Sequence, residues 1–166
     1  KLKNEFNENI LLESGLFYFD ENKKIFIERF RGRLIFPIFN ISGQPIALGG
    51  RILENSEYLA KYINSPETVF FKKGSNLYNI NLARKLSNRL DHIYLVEGYM
   101  DVVGLSKNGI ENVVANLGTS LTDKQILSLN QFFNDIIICF DGDESGYKAA
   151  LRAAENSIKE LKPEKQ

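Results

Sequence analysis

The sequence predicts an α/β fold in which a parallel sheet flanked by helices is preceded by a smaller mixed α+β subdomain with antiparallel strands. Three observations carry this expectation. From residue 93 onward, apolar runs of strand length alternate strictly with stretches of helical periodicity, as βαβ units around a parallel sheet require. Before that, the apolar runs are short and separated by turn residues, as in antiparallel strands. The charge also changes sign there: residues 1–92 hold 14 Lys and Arg against 10 Asp and Glu, net +4, and residues 93–166 hold 7 against 11, net −4. The expected division is a basic subdomain over 1–91, incomplete at its start, and a second domain over 92–166, truncated at its end.

Residues 1–14 carry Leu2, Phe6, Ile10 and Leu11 at helical spacing, with Gly15 placed to stop the helix. Stretches 16–20, 25–29, 34–39 and 46–51 read as strands of one meander. Asp20-Glu21-Asn22, Arg31-Gly32, Ser42-Gly43 and Gly49-Gly50 punctuate them. Pro37 marks an edge or a bulge, because it cannot donate to a ladder. Residues 64–67 read as a turn around Pro66, and 77–90 return to helical spacing. Strands then follow at 93–96, 112–116 and 136–140, and helices at 99–107, 123–133 and 145–161, the last ending before Pro163. Thr122 with Gln125 forms a capping box, and Gly109 closes the helix before it.

The totals exclude several classes. Hydrophobic content of 43% and charged content of 25% describe a globular chain. No apolar run approaches the ~20 residues of a membrane span, so a soluble intracellular protein with no membrane partner is expected. One Cys and one His cannot build a structural zinc site. Cys139 is expected to pack in a strand as a small hydrophobe, and His92 to be a solvated loop residue. Between Tyr58 and Arg89, six basic residues face one acid, a surface suited to a polyanion.

Chemistry concentrates at two strand ends. The run Ile93-Tyr94-Leu95-Val96 ends in Glu97-Gly98, and Ile136-Ile137-Ile138-Cys139-Phe140 ends in Asp141-Gly142-Asp143. Functional groups of parallel sheets gather beyond the carboxyl ends of strands where strand order reverses. If the first and third strands are neighbours, Glu97 and Asp141 meet there, and Asp101 and Asp143 join the rim. Carboxylates ~5 Å apart repel by about 3 kcal/mol per pair at an effective dielectric near 20. A divalent cation relieves that, and an all-oxygen set favours Mg²⁺ or Mn²⁺, hence phosphoryl or nucleotidyl transfer. Asp101 in a first helical turn and Asp143 at a helix start also suit plain capping. The calcium-loop likeness of Asp141-x-Asp143-x-Ser145-Gly146 fails at its twelfth position, Arg152. Tyr99 is expected to pack on its helix or to stack on a base.

Val96-Glu97-Gly98-Tyr99-Met100-Asp101 followed by Phe140-Asp141-Gly142-Asp143-x-x-Gly146 resembles the Toprim domain of primases, topoisomerases and some nucleases. Other blocks narrow the resemblance: Arg29 to Ile38, Gly49-Gly50-Arg51, Lys61 to Thr68, Phe71 to Gly74, Leu77-Tyr78 and Leu117-Gly118-Thr119-Ser120. With these the whole chain is similar to the RNA polymerase core of bacterial replicative primases, the DnaG type. The resemblance implies a Toprim-type sheet and metal-dependent synthesis of short RNA primers on single-stranded DNA in the bacterial cytoplasm, at the nucleoid. It implies Glu97, Asp101, Asp141 and Asp143 as Mg²⁺ or Mn²⁺ ligands, and Glu97, Asp141 and Asp143 as catalytic, with Glu97 also an acid/base. It implies Arg31, Arg33, Arg51, Lys61, Asn64 and Lys73 as holding template, RNA primer and nucleoside triphosphates. Zinc and the replicative helicase are implied as partners of an upstream and a downstream module absent from this chain. The family's last acidic strand end is also missing, so weak metal binding and little polymerisation by the chain alone are expected. Alternatives are a non-catalytic nucleic-acid-binding Toprim module and a topoisomerase-type Toprim domain. The Arg29 and Asn64 blocks argue against the latter, and a phosphatase reading is weaker still.

Overall fold

The structure, a computed structural model, describes residues 2–54, 57–118 and 120–159. It divides into two compact units, Lys1–Ile38 with Ile46–Lys72, and Phe39–Pro45 with Lys73–Gln166. Among the described residues no helix is long and apolar enough to cross a membrane.

In the first unit the expected opening helix is two short ones, α1 (Leu2–Glu5) and α2 (Glu8–Glu13). Asn7 breaks it: extended at φ −71° and ψ 163°, it accepts a hydrogen bond from the Ile10 N–H at 3.0 Å, a local cap that outcompetes continuity. Gly15, at φ +68°, then ends α2 as expected. Strands β1 (Phe17–Asp20) and β2 (Ile25–Glu28) form a hairpin with Phe17 opposite Glu28. Its turn is organised by the Asp20 carboxylate, which accepts from the N–H groups of Asn22 and Lys23 at 3.0 Å each.

Strands β3 (Arg33–Phe39), β4 (Pro45–Ile52) and β5 (Tyr62–Asn64) make a separate sheet in that order, so the single meander expected is two sheets. Pro37 lies in β3 at the edge of that order, the place in a sheet where proline is tolerated. Only three residues long, β5 offers no period for sequence reasoning to detect. Gly49-Gly50 does not turn the chain: both lie buried inside β4. A Cβ on Gly50 would meet Phe30 Cδ1 at 2.7 Å and Arg33 Cδ at 3.1 Å, so the glycine serves close packing.

The second unit alternates as the periodicity predicts: β6 (His92–Val96), α4 (Tyr99–Lys107), β7 (Val113–Ala115), α5 (Asp123–Asn130), β8 (Asp135–Ile138) and α6 (Glu144–Ile158). The part of the last predicted helix beyond residue 159, with Pro163, lies outside the described residues. The sheet runs β7-β6-β8, all parallel, with Leu95 opposite both Val114 and Ile138. The first strand of the unit is therefore central, with the third as its neighbour. Ile93 and Leu95 on β6, Val114 on β7, and Ile126, Leu129 and Phe133 around α5 form the core. Each such side chain contributes about 1.5–3 kcal/mol on full burial. The capping box forms: Thr122 Oγ1 accepts from the Gln125 N–H at 3.3 Å, and Gln125 Oε1 from the Thr122 N–H at 3.0 Å. Gln125 is fully buried, its amide nitrogen donating to the carbonyls of Lys73 and Asn76.

Three local expectations are corrected here. The helix over 77–90 shrinks to α3 (Ile80–Ala83) and a 3₁₀ turn. Tyr78 instead pairs with Ala115 on β7 through N–H···O bonds of 2.9 and 3.2 Å, and Asn79 turns left-handed at φ +68°. Cys139 is exposed rather than packed, beyond the end of β8, where Ile137 is itself 38% exposed. The continuous apolar run hid this, because β8 has a hydrogen-bonded neighbour on one side alone among the described residues. His92 begins β6 rather than a loop, half-buried and edge-on to Tyr94 at 5.4 Å.

Candidate catalytic site

Both acid-bearing loops leave neighbouring strands at the same end of the second unit's sheet. Pairing between β6 and β8 continues one step past β8, where the Cys139 N–H donates to the Leu95 carbonyl at 2.8 Å. Two residues on, the Asp141 N–H donates to Glu97 Oε1 at 3.0 Å. A side chain from the central strand's end thus takes over where the ladder stops. Glu97 and the Asp141 backbone are held together in the crevice that the strand order creates.

The other two carboxylates have local duties. Asp101 reaches back so that its Oδ2 accepts from the Gly98 N–H at 2.9 Å, closing the first turn of α4. Asp143 caps α6, its Oδ1 accepting from the Gly146 N–H at 2.7 Å. Among the described residues no group of three or more His, Cys, Asp or Glu side chains is placed to hold a metal ion. The structure therefore joins Glu97 to the Asp141 loop without gathering four carboxylates into one ligand shell. The chemistry of the donor set still fits a hard cation: Mg²⁺ keeps several waters and needs only one or two carboxylates beside phosphate oxygens.

Sequence reasoning gave two residues at this site no role, although it named Gly146 within the Toprim-like motif. Gly146, in the first turn of α6, is buried, and a Cβ there would lie 2.1 Å from the Asp141 carbonyl oxygen and 2.9 Å from Glu97 Oε1. Its missing side chain is what lets the Asp141 turn and the Glu97 carboxylate settle over the start of α6, where the helix dipole favours negative charge. The second is Asn116, just past β7, which with Glu97, Gly118, Ser120 and Phe140 lines a cavity of about 290 Å³. A signal existed: Val113-Val114-Ala115 ends in a polar residue shortly before Gly118, as Ile93 to Val96 ends before Gly98. Thr119, beside them, lies outside the described residues.

Tyr99 is buried and meets Tyr78 edge-to-face, with centroids 4.7 Å apart at 87°, which commits its ring to packing rather than to a base. Burial raises the Tyr78 phenol above its ordinary pKa.

The basic residues divide between the units. In the first, Arg51 on β4 lies opposite Tyr62 on β5, with its guanidinium 5.6 Å from that ring's centroid, and Asn64 lies opposite Gly49. Strand alternation puts Arg51, Tyr62 and Asn64 on one face. Arg33 packs against the Gly50 side of the sheet, and its Nη1 donates to the Ala60 carbonyl at 2.8 Å, beside exposed Lys61. Arg31 is exposed on the turn before β3. Lys73 belongs to the second unit, in a 3₁₀ turn whose carbonyl accepts from Gln125.

Comparison with known proteins gives a consistent result. Residues 1–84 match the model of the DNA primase catalytic core, N-terminal domain, and residues 91–165 match the Toprim domain. A DNA primase of Clostridium acetobutylicum is 47% identical over 147 residues, covering 89% of this chain and 24% of that protein. The chain thus spans about a quarter of the length of the curated relatives it matches. Among solved structures, the Escherichia coli primase catalytic core superposes with a TM-score of 0.89 at 39% identity, covering 99% of this chain and 51% of that one. A DnaG primase catalytic domain bound to ssDNA gives 0.86 at 39%, covering 95% and 48%.

Proposed function

We propose that this chain, which belongs to the DNA primase catalytic-core family and carries that family's Toprim domain in its second half, works as the catalytic part of a primase. In this reading the whole protein joins ribonucleotides into short RNA primers on a single-stranded DNA template. The observation that carries the reading is Glu97, which ends the central strand and is fixed by the Asp141 N–H at 3.0 Å. Glu97 and Asp141 would hold Mg²⁺ or Mn²⁺. Asp101 and Asp143 each commit one oxygen to a cap and keep further acceptor capacity for it. When bound, the cation supplies Lewis-acid stabilisation of the charge that develops at the transferred phosphoryl group. The protein's own contribution is positional: the Asp141 amide and Gly146 keep Glu97 from swinging away. In this reading Glu97 also takes a proton from the attacking hydroxyl.

Arg31, Arg33, Arg51, Lys61, Asn64 and Lys73 are assigned to phosphates of the template, the primer and incoming nucleoside triphosphates. The basic balance of residues 1–92 supports this. The ring of Tyr62 beside Arg51 adds a stacking surface of the kind single strands use. A replicative helicase is a partner of the whole protein in this reading, which acts in the bacterial cytoplasm.

The test is primer synthesis by the complete protein on single-stranded DNA with ribonucleoside triphosphates and Mg²⁺. Asp141→Ala keeps the backbone N–H that holds Glu97, so it probes the carboxylate alone. That variant and Glu97→Gln should each lose about 100-fold or more in rate while binding single-stranded DNA as the parent does. Undiminished synthesis by either variant sinks the assignment. DNA binding indifferent to metal, with no synthesis by the parent, would instead favour a non-catalytic Toprim module.

A further inference from the structure

Beside the Glu97 cavity lies a buried amide whose oxygen has no hydrogen-bond partner among the described residues. Asn116 is 8% exposed, its backbone N–H donates to the Val96 carbonyl at the end of β6, and the residue lines the same cavity of about 290 Å³ as Glu97. Its Oδ1 is shut off from solvent and accepts no hydrogen bond from the described residues. Buried side-chain oxygens in folded proteins nearly always have a partner, and an exception calls for a water, an ion or a catalytic role. Nothing in the packing requires an amide here: the neighbouring β7 residues Val113, Val114 and Ala115 are apolar and buried.

The lining decides what the partner is. Among the described lining residues Glu97 carries the only charge, and Asn116 and Ser120 supply neutral polar groups. A bare anion is therefore disfavoured, whereas a species that presents hydrogen-bond donors and positive charge suits both Glu97 and an amide oxygen. At roughly 30 Å³ per water, the volume accommodates a cation with much of its hydration shell, the form in which Mg²⁺ binds beside few carboxylates. The terminal torsion of Asn is broad, so the amide can turn its oxygen toward the cavity without leaving a rotamer well.

We propose that Asn116 is an outer-sphere positioning residue for the cation held at Glu97, its side-chain oxygen accepting a hydrogen bond from one of the cation's bound waters. Outer-shell partners of this kind orient what the ligands hold, and their loss costs about 10–100-fold in metal affinity. The inference rests on the cation assignment made above, and the experiment separates the two. Mn²⁺ is titrated into the complete protein and free Mn²⁺ is followed by its paramagnetic resonance signal, with no nucleotide present and no reaction running. Thermal melting of each variant reports folding.

Asn116→Leu, which keeps the branched shape and removes the acceptor, should weaken Mn²⁺ binding about tenfold. Asn116→Asp, which keeps an acceptor at the same place, should bind at least as tightly as the parent. Glu97→Gln should lose the site. Equal affinity of Asn116→Leu and the parent overturns the proposal, as does equal weakening by Leu and Asp in folded protein, since the loss would then follow packing rather than the acceptor. Binding that survives Glu97→Gln unchanged, or a parent that binds no Mn²⁺, removes the cation assignment itself.

Discussion

Replacing Gly146 by Ala sets two known effects against each other at the candidate site. Gly146 is the third residue of α6, and within a helix Ala is favoured over Gly by about 0.8–1 kcal/mol. Were the space open, the substitution would stabilise the protein. The space is not open: the new methyl would lie 2.1 Å from the Asp141 carbonyl oxygen, 2.9 Å from its carbonyl carbon and 2.9 Å from Glu97 Oε1. Two of these neighbours are backbone, so the Asp141 turn must move by an ångström or more, and overpacking of this kind typically costs about 1–3 kcal/mol. The clash should win, giving net destabilisation of up to about 2 kcal/mol from these two terms. Gly104 in α4 is the control, since a Cβ there meets nothing within 4 Å; Gly104→Ala should stabilise by about 0.5–1 kcal/mol. Urea unfolding of both variants measures the signs, and Mn²⁺ titration of Gly146→Ala measures the consequence. Displacing the Asp141 turn breaks its hydrogen bond to Glu97, so Mn²⁺ affinity should fall in folded protein. A Gly146→Ala variant more stable than its parent, with unchanged Mn²⁺ binding, would refute the claim that this glycine seats the two acids.

Two further outcomes follow from the second unit. Thr122→Ala removes the cap acceptor for the Gln125 N–H and the hydroxyl that donates to the Gly74 carbonyl at 2.6 Å; a loss of about 1–2 kcal/mol is expected by denaturant unfolding. Tyr78 has its pKa raised in the folded state, so its contribution is fully present below pH 10, the phenol's ordinary value, and is lost as pH rises through the folded value. Tyr78→Phe should flatten that alkaline decline in melting temperature, and an unchanged slope above pH 10 would assign the decline to other groups.

What the sequence made legible was local. The bounds of α4 and the Thr122 box are visible because the residues that start and stop those helices lie within a turn of them. Likewise, Glu97 and Asp141 stand out because an apolar run ending in acid is readable from a single strand. Several failures involve partners distant in the chain. Leu77 to Leu90 has helical spacing, yet Tyr78 is drawn into pairing with Ala115, 37 residues on, and a strand partner outweighs a periodicity worth tenths of a kcal/mol per residue. Gly50 reads as a turn until Phe30 is seen against it. Asp101 and Asp143 accept from backbone amides at the starts of their own helices, as the capping reading of the sequence expects, and their part in holding a cation stays a proposal. Asn116 and Gly146 are ordinary in composition and matter only through what surrounds them.

The bond between the Asp141 amide and Glu97 has a consequence for how the site is observed. Loop amides on a protein surface ordinarily trade their protons with solvent quickly, because no ladder protects them. This one is anchored to a side chain that hangs from the central strand, which is paired on both sides and is the part of the sheet expected to open last. The proton on Asp141 should therefore exchange more slowly than those of Gly142 and Asp143 beside it. Its rate becomes a gauge of how long Glu97 stays in place, readable in the resting protein without nucleotide, template or turnover.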